Sequence, residues 1–231
     1  MKGILYEDGD GVEKNPKKAL QYYMRSATLG HAVGYYNVGL AYQFGTEISK
    51  NLPKAFEMFE SAAKQNYGDA LLKVGYFYMF GWHGQKDFNL AKLNFEKSLS
   101  AGNVGAYCGL GQLFILASDM QRAVGCLKKG KECGDIDAIF ELARIFEQDD
   151  TDNALTLYLQ ASTMENEGYA LLRAACLVLQ NDVGDKLTAK EMLKISAEQG
   201  QNFARRLLVE AYGEQMDVMG EMEDEEDEED E

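Results

Sequence analysis

Histidine and cysteine are the side chains best suited to metal binding or nucleophilic catalysis, and this chain has only two histidines and four cysteines. His31 follows a glycine, and His83 lies in the glycine-rich segment Gly81-Trp82-His83-Gly84. A histidine metal site needs further ligands at helical or loop spacing, such as a second histidine one turn away. Neither histidine has such a partner, so we expect no metal and no cofactor.

The four cysteines, Cys108, Cys126, Cys133 and Cys176, form no Cys-x-x-Cys pair and do not recur at one interval. This pattern is typical of reduced thiols that are more often buried than reactive. A serine or cysteine nucleophile also needs a positioned base, and two histidines in different parts of the chain argue against a triad. The sequence therefore predicts a protein that is not an enzyme.

Two glycine- or aspartate-rich segments resemble ligand loops only superficially. Gly9-Asp-Gly11 has no strand before it and lacks the lysine of a phosphate loop. Asp149-Asp150-Thr151-Asp152 lacks the glycine and the distal glutamate of a calcium loop. We interpret the first as the turn of the repeat that precedes an outer helix, and the second as a short hairpin turn with Asp152 as the N-cap.

Trp82 is the only tryptophan, and it stands between two glycines. Such a side chain can be an exposed anchor for a partner. It can equally fold back on Phe80 and Phe88 as a small additional core. Both interpretations are open at this point.

Small residues recur along the chain and define two kinds of helix, which we call inner and outer. Those of the inner helices are Gly34, Ala70, Ala106, Ala138, Ala170 and Ala204, at spacings of 36, 36, 32, 32 and 34 residues. Those of the outer helices are Ala19, Ala55, Ala91, Ala123, Ala154 and Ala189. A period of this length indicates one helical hairpin stacked repeatedly.

Helix boundaries follow the same period. Pro16 and Pro53 stand where a proline is tolerated, at the start of an outer helix. Glycine or asparagine is expected where an outer helix ends in a left-handed conformation. The predicted ends are Gly30, Asn66, Gly102, Gly134, a position near Asn166, and Gly200.

The residues of the first repeat resemble the SEL-one-like repeat family, a relative of the tetratricopeptide repeat with a longer loop. Residues 9–45 carry the match through Gly9, Gly11, Val12, Asn15, Lys18, Ala19, Tyr22, Tyr23, Ala27, Gly30, Gly39, Tyr42 and Gly45. Beyond about residue 117 the loop shortens, and the later repeats look equally tetratricopeptide-like. The resemblance implies an all-α fold, a right-handed α–α superhelix (solenoid) of about five to six helical hairpins with a last helix near 202–215.

Charge is concentrated at one end of the chain. Residues 221–231 hold ten acidic and no basic groups, and without them the net charge of −15 becomes −5. We predict a repeat domain over 1–216 and a disordered acidic tail over 217–231 that keeps the protein soluble or contacts basic proteins. The folded part has no basic stripe, which disfavours nucleic acid, and no segment reaches the ~20 apolar residues of a membrane span.

The family resemblance implies a non-enzymatic adaptor or scaffold for proteins. Some relatives are adaptors of endoplasmic-reticulum ubiquitin ligases in protein degradation, which is the alternative role, and a hydrolase is the least favoured one. Residues 1–6 align with the end of an inner helix, so the chain begins inside a repeat. We expect an incomplete N-terminus and a cytoplasmic protein, or one of the endoplasmic reticulum if a signal segment precedes Met1.

Helical spacing also predicts which side chains of the inner helices line the concave groove. These residues are Tyr36, Leu40, Leu72, Tyr76, Gln112, Phe140, Arg144 and Leu172, together with Cys108 and Cys176. If they face solvent, they form an apolar strip with one arginine that would bind an extended peptide or an amphipathic helix. If the repeats curve tightly, many of them are buried between repeats instead.

Overall fold

The computed structural model describes residues 2–164, 167–181 and 185–213. Within these residues all regular structure is α-helical, which confirms the predicted all-α class of stacked hairpins. The helices are α1 (Lys2–Asp8), α2 (Pro16–Thr28), α3 (Ala32–Phe44), α4 (Leu52–Ala63), α5 (Gly68–Phe80), α6 (Phe88–Ser100), α7 (Ala106–Leu116), α8 (Met120–Glu132), α9 (Ile136–Phe146), α10 (Thr151–Ser162), α11 (Glu167–Asn181), α12 (Lys186–Glu198) and α13 (Asn202–Tyr212). The predicted acidic tail over 217–231 lies outside the described residues.

The chain forms two compact units, Met1–Arg144 and Ile145–Glu231. Unit 1 contains the hairpins α1–α2, α3–α4, α5–α6 and α7–α8, followed by most of α9. Unit 2 contains α10, the hairpin α11–α12 and α13. In unit 1 the odd-numbered helices are the inner helices and the even-numbered ones the outer helices of the sequence pattern.

The outer helices begin with capped N-termini. Asn15, Asn51, Asp87, Asp119, Asp150 and Asp185 each accept a hydrogen bond from a backbone N–H two or three residues later. Such a cap satisfies a donor that the helix leaves unpaired. The predicted N-cap Asp152 is wrong by two residues: α10 begins at Thr151, and the carboxylate of Asp150 accepts from Asn153 N at 3.2 Å.

The predicted ends of the outer helices are confirmed where the structure describes them. Gly30, Gly102, Gly134 and Gly200 have φ values of 82°, 87°, 80° and 87°, and Asn66 has φ 58°. Asparagine tolerates this left-handed region better than most residues. The predicted end near Asn166 lies outside the described residues.

Small residues of the inner helices let the outer helices pack closely against them. A β-carbon at Gly34 would lie 2.4 Å from the backbone nitrogen of Ala27 on the preceding outer helix. A β-carbon at Gly39 would lie 2.7 Å from Cε1 of Phe59, and the ring of Phe59 is fully buried. This close packing buries the sides of α3 that carry Gly34 and Gly39.

Candidate partner-binding surface

His83 packs against an aromatic ring, and His31 is exposed to solvent. The ring of His83 stacks on Phe56, with ring centroids 4.3 Å apart, and Nδ1 lies 3.2 Å from the carbonyl oxygen of Phe77. His31 is exposed and precedes α3 without capping it. In the described part of the chain no three His, Cys, Asp or Glu side chains lie close enough to hold a metal ion.

The cysteines are all free thiols, and three of them are poor nucleophiles. Burial raises the pKa of Cys108, and nearby Asp135, Asp137 and Glu141 raise it further. Burial also raises the pKa of Cys126 and of Cys176. Because the thiolate is the reactive form, these thiols are disfavoured as catalytic groups.

The predicted groove residues fall into two sets with different surroundings. Each residue of the first set lies one helical turn before the corresponding residue of the second set. The first set is Tyr36, Leu72, Cys108, Phe140 and Leu172, and the second set is Leu40, Tyr76, Gln112, Arg144 and Cys176. In the first set Cys108 is 2% exposed and Leu172 is 6% exposed, while the other three are half-buried. Tight packing between repeats therefore buries much of the first set.

Tyr36 shows why the first set is poorly exposed. Its ring lies 5.7 Å from that of Phe59 and 5.3 Å from that of Tyr67, measured between centroids. Phe59 lies on α4 of the same hairpin, whereas Tyr67 lies at the N-cap of α5 in the next hairpin. Burial, with a smaller contribution from the charge of Asp69, raises the pKa of Tyr36 to about 12. The phenol is thus part of the packing between repeats.

Tyr76, of the second set, lies at the middle of the inner surface of unit 1. Its ring is 5.2 Å from Phe95 in an edge contact and stacks on Phe80 at 6.2 Å. Burial is the main cause that raises the pKa of Tyr76. The negative charges of Asp137, Asp135 and Glu141 act in the same direction.

Gln112 and Arg144 meet at one carboxylate. Gln112 Nε2 donates to Glu141 Oε1 at 2.8 Å, and Arg144 donates to Glu141 Oε2 at 2.5 Å. The side chain of Arg144 is 61% exposed, whereas that of Glu141 is 17% exposed. The predicted arginine of the strip is therefore present at the surface, with its charge already paired.

Three exposed apolar residues that the sequence pattern did not predict lie at the ends of inner helices. Phe44, Phe80 and Leu116 are 67%, 38% and 51% exposed, and each is the last residue of its inner helix. We call these three residues the apolar ladder. Each lies four residues after a member of the second set, so extending the spacing rule by one turn would have found them.

Trp82 adjoins the apolar ladder. Its indole stacks on Phe80, with centroids 5.0 Å apart, and makes an edge contact with Phe77 at 5.4 Å. It is nevertheless 41% exposed. Trp82 therefore folds back on Phe80, as one interpretation predicted, with Phe77 as its other ring neighbour, and its role as an anchor for a partner stays a prediction.

The sequence pattern also did not predict three charged residues of the inner helices, Asp69, Lys73 and Asp137. Lys73 on α5 is half-buried, and burial lowers its pKa, while the charges of Asp69 and Asp137 oppose that shift. Asp69 Oδ1 accepts a hydrogen bond from Asn103 Nδ2 at 2.6 Å. Asp137, near the start of α9, is exposed.

Unit 2 contains a separate polar cluster. Glu147 Oε1 accepts hydrogen bonds from the Tyr158 hydroxyl at 2.6 Å and from the guanidinium of Arg173. Cys176 lies near Arg173 and Glu147 and is half-buried. This arrangement orders α10 and α11 against each other and offers no exposed apolar strip at Leu172.

The successive helical hairpins described above are the architecture of a helical-repeat protein. The chain belongs to the Sel1 repeat family, whose model matches residues 3–31, 32–67, 68–103 and 100–135. The resemblance to SEL-one-like repeats is thereby confirmed. No curated protein matches the chain.

Solved structures agree with this assignment. A Sel1 repeat protein from Oxalobacter formigenes is 30% identical, the match covers 84% of this chain and 82% of that one, and the TM-score is 0.73. The protective antigen c5321 of uropathogenic Escherichia coli, which has an SLR fold, is 23% identical over 92% of this chain and 48% of its own, with a TM-score of 0.61. The immunity protein Pa5087 of Pseudomonas aeruginosa is 17% identical over 84% of this chain and 80% of its own, with a TM-score of 0.60. The last two show likeness of fold alone.

None of the helices described is long and apolar enough to cross a membrane.

Proposed function

We propose that this protein is a non-enzymatic interaction module that binds a segment of a partner protein along the inner surface of unit 1. The observation that carries the proposal is the exposure of Phe44, Phe80 and Leu116 at the ends of three successive inner helices. Large apolar side chains exposed at equivalent positions of consecutive repeats are typical of an interaction surface.

The second set of predicted residues supplies the floor of the proposed surface. Leu40 lies one turn before Phe44, and Tyr76 lies one turn before Phe80. The ring of Tyr76 also stacks on that of Phe80. Gln112 and Arg144 provide polar groups that are fixed by Glu141. A partner would thus meet preordered side chains, which lowers the entropic cost of binding.

The first set has a different role in this proposal. Tyr36, Leu72 and Phe140 are half-buried and support the surface from between the repeats of unit 1. Leu172 is buried in unit 2 and is assigned to its core. Substitutions in the first set therefore act on folding before they act on binding.

The proposal is tested by selecting linear peptides from a random display library against the full chain. The selected peptides are then measured against the double variant Phe44→Ala/Phe80→Ala and against Leu187→Ala, since Leu187 is a 62% exposed apolar residue on α12. We expect loss of about tenfold or more in affinity for the double variant, because truncated anchor residues commonly cost 1–2 kcal/mol each, and none for Leu187→Ala. Peptides that bind both variants as tightly as the unchanged chain would refute the assignment of this surface.

A further inference from the structure

The charges of unit 1 are segregated between the two kinds of helix. The outer helices α2, α4, α6 and α8 contain ten lysines and arginines and four acidic residues. Along the inner surface the acidic residues are in excess: four carboxylates face two basic groups, Lys73 and Arg144. We call these four carboxylates the acidic group; its members are Asp69, Asp135, Asp137 and Glu141.

Two members of the acidic group, Asp135 and Asp137, form no ion pair among the described residues, although the charge of Lys73 interacts with that of Asp137. The carboxylate of Asp137 accepts no hydrogen bond and forms no ion pair with any side chain of the described residues. Asp135 is 9% exposed, its Oδ1 accepts from Asp137 N at 3.1 Å, and its buried Oδ2 has no partner among the same residues. By contrast, Glu141 is bonded to Gln112 and Arg144. The net negative charge is therefore centred at the start of α9.

Tyr76 connects this charge to the apolar ladder. Its ring stacks on Phe80, and the carboxylates of Asp137, Asp135 and Glu141 act electrostatically on its phenol. The same three carboxylates raise the pKa of Cys108 beside it. Tyr76 is thus in contact with one residue of the apolar ladder and within the electrostatic influence of three carboxylates.

We infer that the segment bound at this surface is amphipathic, with large apolar side chains against Phe44, Phe80 and Leu116 and lysine or arginine beside Asp137. The inference rests on the proposed function and specifies its partner. Packed helices lie about 8–10 Å apart, and helix positions two turns apart are separated by about 10.5 Å. The test peptide below therefore carries apolar residues two turns apart, the helical spacing nearest to the separation of packed helices.

The acidic C-terminal segment has the wrong charge to occupy this surface. Residues 221–231 contain ten acidic residues and no basic one. Placing like charges against each other in an interface costs several kcal/mol. The same argument excludes the acidic segment of a second copy of this chain.

Three fluorescent synthetic peptides test the inference on the full chain. The first is an amphipathic helix with leucines two turns apart and lysines along one edge, the second has glutamate in place of each lysine, and the third has the sequence of residues 221–231. Binding is measured with the unchanged chain, Asp137→Lys, Phe80→Ala and the outer-helix control Glu57→Gln, whose carboxylate lies on α4.

We expect the lysine peptide to bind about tenfold or more tightly than the glutamate peptide. Asp137→Lys should reduce or reverse that ratio, Phe80→Ala should weaken the lysine peptide, and Glu57→Gln should change neither. Equal binding of the lysine and glutamate peptides, an unchanged ratio in Asp137→Lys, or tighter binding of the 221–231 peptide would overturn the inference. If charge has no effect but Phe80→Ala still weakens the peptides, the interaction surface stands and only its basic partner is wrong. If Phe80→Ala has no effect either, the proposed function falls as well.

Discussion

Phe95 of the outer helix α6 lies so close to Gly75 of the inner helix α5 that a β-carbon at position 75 would come within 2.5 Å of Cε1. The ring of Phe95 also meets Gly109 of α7, where a β-carbon would lie 2.7 Å from Cε1. Phe95 is fully buried and has no room to move. Two glycines therefore let one outer-helix ring fill the space between two inner helices, which sets the spacing of the inner surface.

Gly75→Ala should destabilise the protein because Phe95 blocks the added methyl group. Overpacking of this kind typically costs about 1–3 kcal/mol, which outweighs the gain of up to ~1 kcal/mol in helix propensity. Thermal unfolding followed by circular dichroism should show a lowered midpoint. Gly125→Ala is the matched control, since Gly125 lies in α8 with no atom within 4 Å of its added β-carbon, and it should raise the midpoint. Stabilisation by both changes would show that Phe95 yields easily.

Tyr36 and Phe44 lie on the same inner helix and should separate packing from binding. Tyr36→Ala removes a ring that packs on Phe59 and Tyr67, and we expect a loss of about 2 kcal/mol or more of stability. Phe44→Ala removes a 67% exposed ring and should change stability by less than about 0.5 kcal/mol. Both are measured by thermal unfolding. Equal losses would mean that the ring of Phe44 is also part of the core.

The period of the repeat was sufficient to predict the fold. Small residues such as Ala70 and Ala106 are fully buried in inner helices, and Gly3 packs on Tyr23 as Gly39 packs on Phe59. Buried small residues recur in successive inner helices, so each supports the register of the others. Single helix boundaries carry less information, which explains the error between Asp152 and Asp150.

The candidate surface was predictable only in part. Helical spacing gave Leu40, Tyr76 and Tyr36, which are all half-buried, and Leu172, which is buried. A helix held between two neighbours has two buried sides, and periodicity within one helix does not distinguish them. The charge beside Tyr76 depends on Asp137, which lies two hairpins further along the chain, so no local pattern could have indicated it.

Asp135 should make stability depend on pH. Burial is the main cause that raises the pKa of Asp135 in the folded protein, and the charge of Asp137 acts in the same direction. Backbone hydrogen bonds to the Asp135 carboxylate lower the pKa but do not reverse the shift. A carboxyl whose folded pKa lies above its unfolded pKa destabilises the protein once pH exceeds the folded pKa, and this penalty disappears as pH falls to the unfolded value. Asp135→Asn removes the ionisation.

We therefore expect the stability of Asp135→Asn relative to the unchanged chain to be more favourable at about pH 7 than at about pH 4. Urea unfolding of both proteins at the two pH values measures this difference, and the other carboxylates cancel in the comparison. Asp137→Asn is the companion variant, because it removes a charge that raises the pKa of Asp135 and should therefore reduce the pH dependence that Asp135 causes. A difference of opposite sign would mean that the backbone donors around Asp135 outweigh its burial.

Arg173 and Glu147 should interact more strongly than the exposed ion pairs of the chain. Their side chains are 34% and 19% exposed, and Glu147 also accepts from Tyr158. In a double-mutant cycle with Arg173→Met and Glu147→Gln we expect a coupling energy above about 1 kcal/mol, since a partly buried charge left without its partner is poorly solvated. The control cycle uses Arg122→Met and Asp119→Asn, a pair at 2.6 Å with side chains 62% and 29% exposed, for which we expect a smaller coupling energy because solvent screens exposed pairs. Hydrogen exchange of the α10 and α11 amides gives a second readout, because loss of the Arg173 pair should speed exchange there and loss of the Arg122 pair should not. Equal coupling in the two cycles would show that the Glu147 cluster is solvated and does little to order unit 2.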